Sequence, residues 1–206
     1  MLQVAVLGSG RGSNFQAILD AIQRGTVPNV RVRVVISNNL SAGILEIARA
    51  HTIPAVNMSQ RQFPDESTFV DTLLGTFRQH EVNFIVLAGY MKRLHPRIIA
   101  AFRNRIINIH PALLPKYGGE GMYGMHVHEA VVAHKEVVSG ATVHIVDEEF
   151  DHGAVILQKR VAIDLGDTAE IVAAKVLKIE HEIYPQALRL FAEGAVTLTR
   201  NTVVTH

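Results

Sequence analysis

The sequence predicts an α/β protein of one domain, with a mostly parallel central sheet and an antiparallel C-terminal part. Three observations carry this. Short apolar runs alternate with segments of helical spacing along the first half of the chain, the pattern of a parallel sheet covered by helices. The first apolar run enters a glycine-rich turn that opens directly into helical spacing. The chain has 206 residues, 48% of them hydrophobic and 19% charged, which suits a well-buried core and not a disordered chain.

Leu2 to Leu7 reads as a buried strand, Gly8 to Ser13 as the turn, and Asn14 to Arg24 as a helix with Phe15, Ile18, Leu19 and Ile22 on one face. Val30 to Ile36 is a second strand, ended by Ser37-Asn38-Asn39. Ala42 to His51 is a helix and Ala55 to Met58 a short strand. Asp65 to His80 is an amphipathic helix opened by Pro64, and Asn83 to Leu87 a strongly apolar strand. Pro96 to Phe102 is a short helix and Arg105 to Ile109 a fifth strand. Pro111 to Gly124 is a Gly/Pro-rich loop and His128 to Lys135 a helix. Ala141 to Val146 and Ala154 to Ile163 are strands joined by a turn around Asp151-His152-Gly153. Thr168 to Phe191 is a long helix bent near Pro185, and Val196 to Val204 an edge strand.

Twenty Lys+Arg against 19 Asp+Glu leave a net charge of +1, which argues against nucleic acid as a partner. The absence of cysteine removes thiolate nucleophiles, disulfides and Cys-based metal sites and fits a reducing compartment. Apolar runs such as Ile85 to Ala88 are far too short to span a membrane, and no signal peptide precedes the first strand. The expected location is the cytoplasm, without membrane association. Eleven histidines are the unusual entry in the composition.

Gly8-x-Gly10-x-Gly12 sits between a strand and a helix, where backbone N–H groups can cradle a phosphate. A dinucleotide site would also need an acid near the end of the second strand, where this chain has Ser37-Asn38-Asn39. No Lys-Ser/Thr follows the last glycine, so a P-loop is excluded too. What remains is a generic phosphate cradle at Gly12, Ser13 and Asn14, or a tight turn with Ser13 or Asn14 capping the helix.

Asn108 and His110 lie two apart at a strand end and so share a face, at the carboxyl edge where open α/β sheets bind ligands. An amide donor beside an imidazole suits acyl transfer: one stabilises an oxyanion, the other moves a proton. Asp151, in a turn between strands, could raise and orient the imidazole. The alternatives are a strand-end amide, an incidental loop histidine and an Asx-turn aspartate.

Asn108-Ile-His-Pro-Ala-Leu-Leu-Pro-Lys-Tyr117 resembles the signature of the folate-dependent formyltransferases. The likeness extends to Gly8–Asn14, Leu87-Ala-Gly-Tyr-Met91, Gly140-Ala-Thr-Val-His144, Asp147 to Gln158 and Ile179-Glu-His-Glu-Ile-Tyr-Pro185. The resemblance implies a Rossmann-like three-layer sandwich over residues 1–206, with an N-terminal half that binds a ribonucleotide phosphate and a C-terminal half that binds folate and carries the catalytic residues. The implied reaction moves the formyl group of 10-formyltetrahydrofolate, a co-substrate, to the amine of glycinamide ribonucleotide (GAR) in purine synthesis. The implied catalytic set is Asn108, His110 and Asp151. His110 and Asn108 would stabilise the tetrahedral intermediate, and Asp151 would hold His110 charged or order a relaying water. Gly12, Ser13, Asn14 and Glu180 are the implied GAR contacts. Met91, Lys92, Arg93 and Leu94 would lie along the folate, with Asn108 and with Asp147 to Asp151 opposite.

Four departures stand out. Gly118 to Met125 lengthens the loop found in enterobacterial relatives, Lys92 replaces an arginine, Ala112 replaces a serine, and Glu66 falls where some relatives carry a basic residue, with Arg61 as its candidate substitute. His126, His128, His134, His144 and His152 cluster in sequence without zinc-motif spacing, and the implied mechanism needs no metal. His144 and His126 are expected as supporting residues. The rivals are a formyltetrahydrofolate hydrolase or methionyl-tRNA formyltransferase, each expected to need a further domain, a metal hydrolase, and a non-catalytic nucleotide-binding regulator. The small-molecule substrates are the expected partners, and a homodimer is compatible with the reading.

Overall fold

A computed structural model describes residues 1–199 and 202–205. Two compact units divide the chain, Met1–Ile107 and Asn108–His206. In strand order the main sheet reads β3-β2-β1-β4-β5-β6-β7.

In the N-terminal unit, strands β1 (Leu2–Leu7), β2 (Val30–Ser37), β3 (Ala55–Asn57) and β4 (Phe84–Leu87) alternate with helices α1 (Ser13–Gln23), α2 (Gly43–Ala50), α3 (Glu66–Gln79) and α4 (Pro96–Ala101). β1 pairs parallel with both β2 and β4, and β2 with β3. Val4 to Leu7, Val34 to Ile36 and Ile85 to Val86 are almost wholly buried, as strands covered on both faces must be. Helix α3 starts where Asp65 accepts the Thr68 N–H at 2.7 Å, an N-cap that satisfies one of the helix's orphan donors. Its Phe77 is fully buried and meets Phe102 edge-on, with ring centroids 5.3 Å apart.

β5 (Ile106–His110) straddles the division. The C-terminal unit continues with α5 (Met125–Ala133), β6 (Val138–Ile145), β7 (Val155–Ala162), α6 (Ala169–Ala192), β8 (Val196–Thr199) and β9 (Thr202–Thr205). β6 and β7 pair antiparallel, with a register shift between Val143 and His144. Helix α6 packs on both strands and on α5, burying Val172, Val176, Tyr184 and Leu188. The mostly parallel sheet with an antiparallel C-terminal part agrees with the sequence expectation.

Two local expectations change. Helix α5 begins at Met125, three residues before the expected start, because Gly124 takes a backbone conformation (φ 56°, ψ −132°) that turns the chain into it. Helix α6 runs through Pro185 as one element, matching the single long helix expected there. The expected edge strand over 196–204 is two strands, β8 and β9, that pair antiparallel with each other in a separate sheet. Residues 200 and 201 of that expectation lie outside the described residues, as does His206.

Truncation of Phe77 to Ala should cost about 3–5 kcal/mol, the range for a buried aromatic lost from a close-packed core. Urea unfolding followed by circular dichroism measures it, and a cost under about 1 kcal/mol would show that the site collapses freely.

Candidate active site

β5 ends in Asn108-Ile109-His110. Strand alternation places Asn108 and His110 on one face, and His110 is 3% exposed. The turn between β6 and β7 brings Asp151 to the same place. Gly153 permits this turn, since a Cβ there would run into the Ile145 carbonyl. Asp151 itself takes φ 53°, a left-handed conformation that Asp tolerates better than most residues.

The cluster is centred on the Asp151 carboxylate. Its Oδ2 lies 3.4 Å from His110 Nδ1 and accepts the Gly119 N–H at 3.0 Å. Its Oδ1 lies 3.4 Å from Nε2 of His144. His144, 2% exposed on β6, donates from Nδ1 to the Ile145 carbonyl at 2.8 Å, and its Nε2 lies 3.1 Å from the side-chain amide of Asn108. Asn108 is thereby oriented, with a second N–H still available. His110 Nε2 donates to the Tyr117 carbonyl at 2.7 Å. Tyr117 (φ 57°) is in turn fixed by its hydroxyl donating to Glu136 at 2.9 Å, an acceptor shared with Lys116.

Both nitrogens of His110 thus face acceptors, an arrangement only the imidazolium fully satisfies. Burial works the other way and is the larger effect. It holds the His110 pKa below the ordinary histidine value although Asp151 and the Tyr117 carbonyl raise it; His144 adds to the lowering. For Asp151, burial alone would raise the pKa, but the two imidazoles and the Gly119 N–H outweigh it and keep the carboxyl ionised below its ordinary range. His128, on the buried face of α5, is pushed down to about 4 by burial and by His110.

The structure therefore brings Asn108, His110, His144 and Asp151 together. Asp147 sits in the same turn, but its carboxylate is engaged locally, accepting from the Glu149 N–H and from His152 Nδ1, both at 2.9 Å. His126 is exposed in the first turn of α5, its ring beside Tyr123 with centroids 5.2 Å apart. Glu180 is buried in the middle of α6, 8% exposed. His134 bonds within its own helix, to the Ala130 carbonyl. Among the described residues no group of three or more His, Cys, Asp or Glu could hold a metal ion.

In the N-terminal unit, Gly12 is the N-cap of α1 in the left-handed conformation (φ 85°), with no side-chain cap bond. That argues against Ser13 or Asn14 serving as a simple cap. A Cβ on Gly12 would collide with Ile44 of α2, so glycine is required there twice over. Met91, Lys92 and Arg93 form an exposed irregular segment, and Leu94 is buried.

The sequence reading missed the Tyr117 carbonyl and the Gly119 N–H. Backbone atoms carry no residue-type signal, and only the positive φ at Tyr117 aims its carbonyl at the imidazole.

Replacing Asp151 by Asn removes the charge that raises His110, so the imidazole should titrate at still lower pH. An NMR titration of the ring protons checks this, and an upward shift would contradict the geometry. His128 binds fewer protons folded than unfolded between pH about 4 and 6.5, so its share of stability is present above that window and fades as pH falls through it. Melting temperature should drop from pH 7 to 5, and His128→Gln should flatten that slope.

The formyl transferase family model matches residues 2–188. A phosphoribosylglycinamide formyltransferase of Haemophilus influenzae is 38% identical over 98% of this chain and 92% of its own length. The chloroplastic phosphoribosylglycinamide formyltransferase of Vigna unguiculata is 38% identical over 98% of this chain and 64% of its own; the chain spans just under two thirds of the plant relatives it matches, 64% and 66%. The crystal structure of glycinamide ribonucleotide transformylase 1 from Symbiobacterium toebii superposes with a TM-score of 0.93 at 39% identity, covering 100% of this chain and 94% of that one. No described helix is long and apolar enough to cross a membrane. A glycine turn opening α1, an Asn-x-His strand end and an aspartate turn, with relatives this similar along nearly its whole length, place the chain in the formyl transferase family.

Proposed function

We propose that this chain transfers the formyl group of 10-formyltetrahydrofolate to the amine of glycinamide ribonucleotide, giving formylglycinamide ribonucleotide and tetrahydrofolate in de novo purine synthesis. The observation that carries the reading is the buried cluster in which one carboxylate serves the imidazole of His110 while His144 orients the amide of Asn108. The names of the similar proteins support the formyl transfer and the phosphoribosylglycinamide acceptor.

The substrate amine attacks the formyl carbon, a C–N bond forms, and the carbonyl electron pair moves to oxygen. Asn108 donates its second N–H to that oxygen. The developing negative charge offsets the burial that keeps His110 neutral, and the imidazolium, held between Asp151 and the Tyr117 carbonyl, becomes the favoured form. Collapse breaks the bond to the folate N10. Over the whole reaction one proton leaves the amine and one reaches N10, and His110 with Asp151 carries that exchange. Donors fixed in place before the reaction need no reorganisation in the transition state.

The N-terminal unit takes the phosphate of the ribonucleotide at the backbone N–H groups of Gly12, Ser13 and Asn14, where the positive end of the α1 dipole also favours an anion. Met91 to Leu94 offers backbone to the folate. The C-terminal unit contributes the catalytic residues, Glu180 as a carboxylate for GAR, and the turn from Asp147 to Asp151 beside the folate. The reaction has no step that calls for a metal, and its soluble substrates fit a cytoplasmic enzyme.

Mixing purified protein with both substrates and following the loss of formyl-folate optically tests the reaction, and absence of GAR-dependent turnover would overturn it. In the same assay His110→Ala should lower kcat by about 10²–10⁴ with an unchanged circular dichroism spectrum. A loss under about tenfold would remove His110 from the catalytic role.

A further inference from the structure

Ser37-Asn38-Asn39 stands where a dinucleotide-binding chain would carry its ribose-binding acid. In this protein the side chain of Asn38 instead holds Ser9. The Ser9 hydroxyl donates to Asn38 Oδ1 at 2.5 Å and accepts the backbone N–H of Met91 at 2.9 Å. The Ser9 N–H donates to the Gly89 carbonyl, also at 2.9 Å. One residue therefore grips the turn 89–91 at both ends. Gly89 supplies the positive φ (73°) that the turn needs, and burial pushes the phenol of Tyr90 between the two grips up to about 12, so the ring stays neutral. The approach is close: a Cβ on neighbouring Gly8 would collide with the Ala88 carbonyl and the Ile44 side chain.

We propose that Ser9, oriented by Asn38, is a positioning residue for the folate-facing segment Met91 to Leu94. A hydroxyl has one proton and two lone pairs. With its proton drawn to Asn38, the oxygen presents a lone pair to Met91, and each bond polarises the other. The segment that offers its backbone to the folate thereby starts from a fixed point, although Met91, Lys92 and Arg93 are exposed. The acid that would have read a ribose hydroxyl is replaced by an amide that reads the protein's own first loop. The inference rests on the assignment of 91–94 to the folate.

The test is a substrate-resolved kinetic comparison of Ser9→Ala, Ser9→Thr and Asn38→Ala in the full chain, with tetrahydrofolate binding measured by calorimetry. Loss of one net hydrogen bond corresponds to about fivefold in affinity. Ser9→Ala should raise the KM for 10-formyltetrahydrofolate and the Kd for tetrahydrofolate by about that factor, while kcat and the KM for GAR stay within about twofold. Ser9→Thr, which keeps the hydroxyl, should restore both folate constants, and Asn38→Ala should give a smaller shift of the same kind. A double variant no worse than Ser9→Ala would support one shared bracket. The proposal is overturned if Ser9→Ala leaves the folate constants unchanged, or if both KM values and kcat move together as general loosening would make them. Should Ser9→Ala fail to fold, Asn38→Ala decides on the same readouts. If the unsubstituted chain binds no tetrahydrofolate, the functional reading itself fails.

Discussion

Asp151 holds a negative charge where only 12% of its side chain meets solvent, and the rest of the C-terminal site depends on how that charge is compensated. An unpaired buried carboxylate would take up a proton. Here two imidazoles and one backbone N–H surround it, and each imidazole is anchored elsewhere, His110 at the Tyr117 carbonyl and His144 at the Ile145 carbonyl. The arrangement is reciprocal. The carboxylate works against burial to raise His110, and His144, His110 and the Gly119 N–H work against burial to lower the carboxyl. Because the interior is poorly polarisable, small shifts in where the proton resides change the field felt by a reacting carbonyl more than they would in water.

In the N-terminal unit the groups proposed to hold the phosphate are backbone N–H groups. Helix α1 opens at a glycine without a side-chain cap, and helix α2 leaves no room for a side chain at that glycine. Net charge says little about such a site. A chain of net charge +1 can bind a phosphate well when the compensating positive charge comes from peptide dipoles instead of lysines.

Much of this was legible from residues. The β-α alternation located every strand of the parallel part, and the Asn108–His110 spacing with Asp151 in a turn marked three members of the cluster. The illegible parts share a cause. The start of α5 depended on the backbone conformation of Gly124, the role of Tyr117 on the sign of one φ angle, and that of Asn38 on a partner 29 residues earlier. Local composition encodes none of these. For Asp147, which the resemblance puts in a wall of the folate site, the residue types gave no sign that its carboxylate also braces its own turn against His152.

The register shift between β6 and β7 has a consequence for how this sequence can change. His144 pairs with Val155 although Val143 pairs with Leu157, so Ile156 is an extra residue on one strand, a bulge beside the site. Side chains alternate faces along a strand, and removing that residue would exchange the faces of everything between the bulge and the turn. The turn carrying Asp151 would then leave the sheet out of phase with His110. Bulge and turn length are therefore a matched pair. A one-residue insertion or deletion in either would be tolerated only with a compensating change in the other.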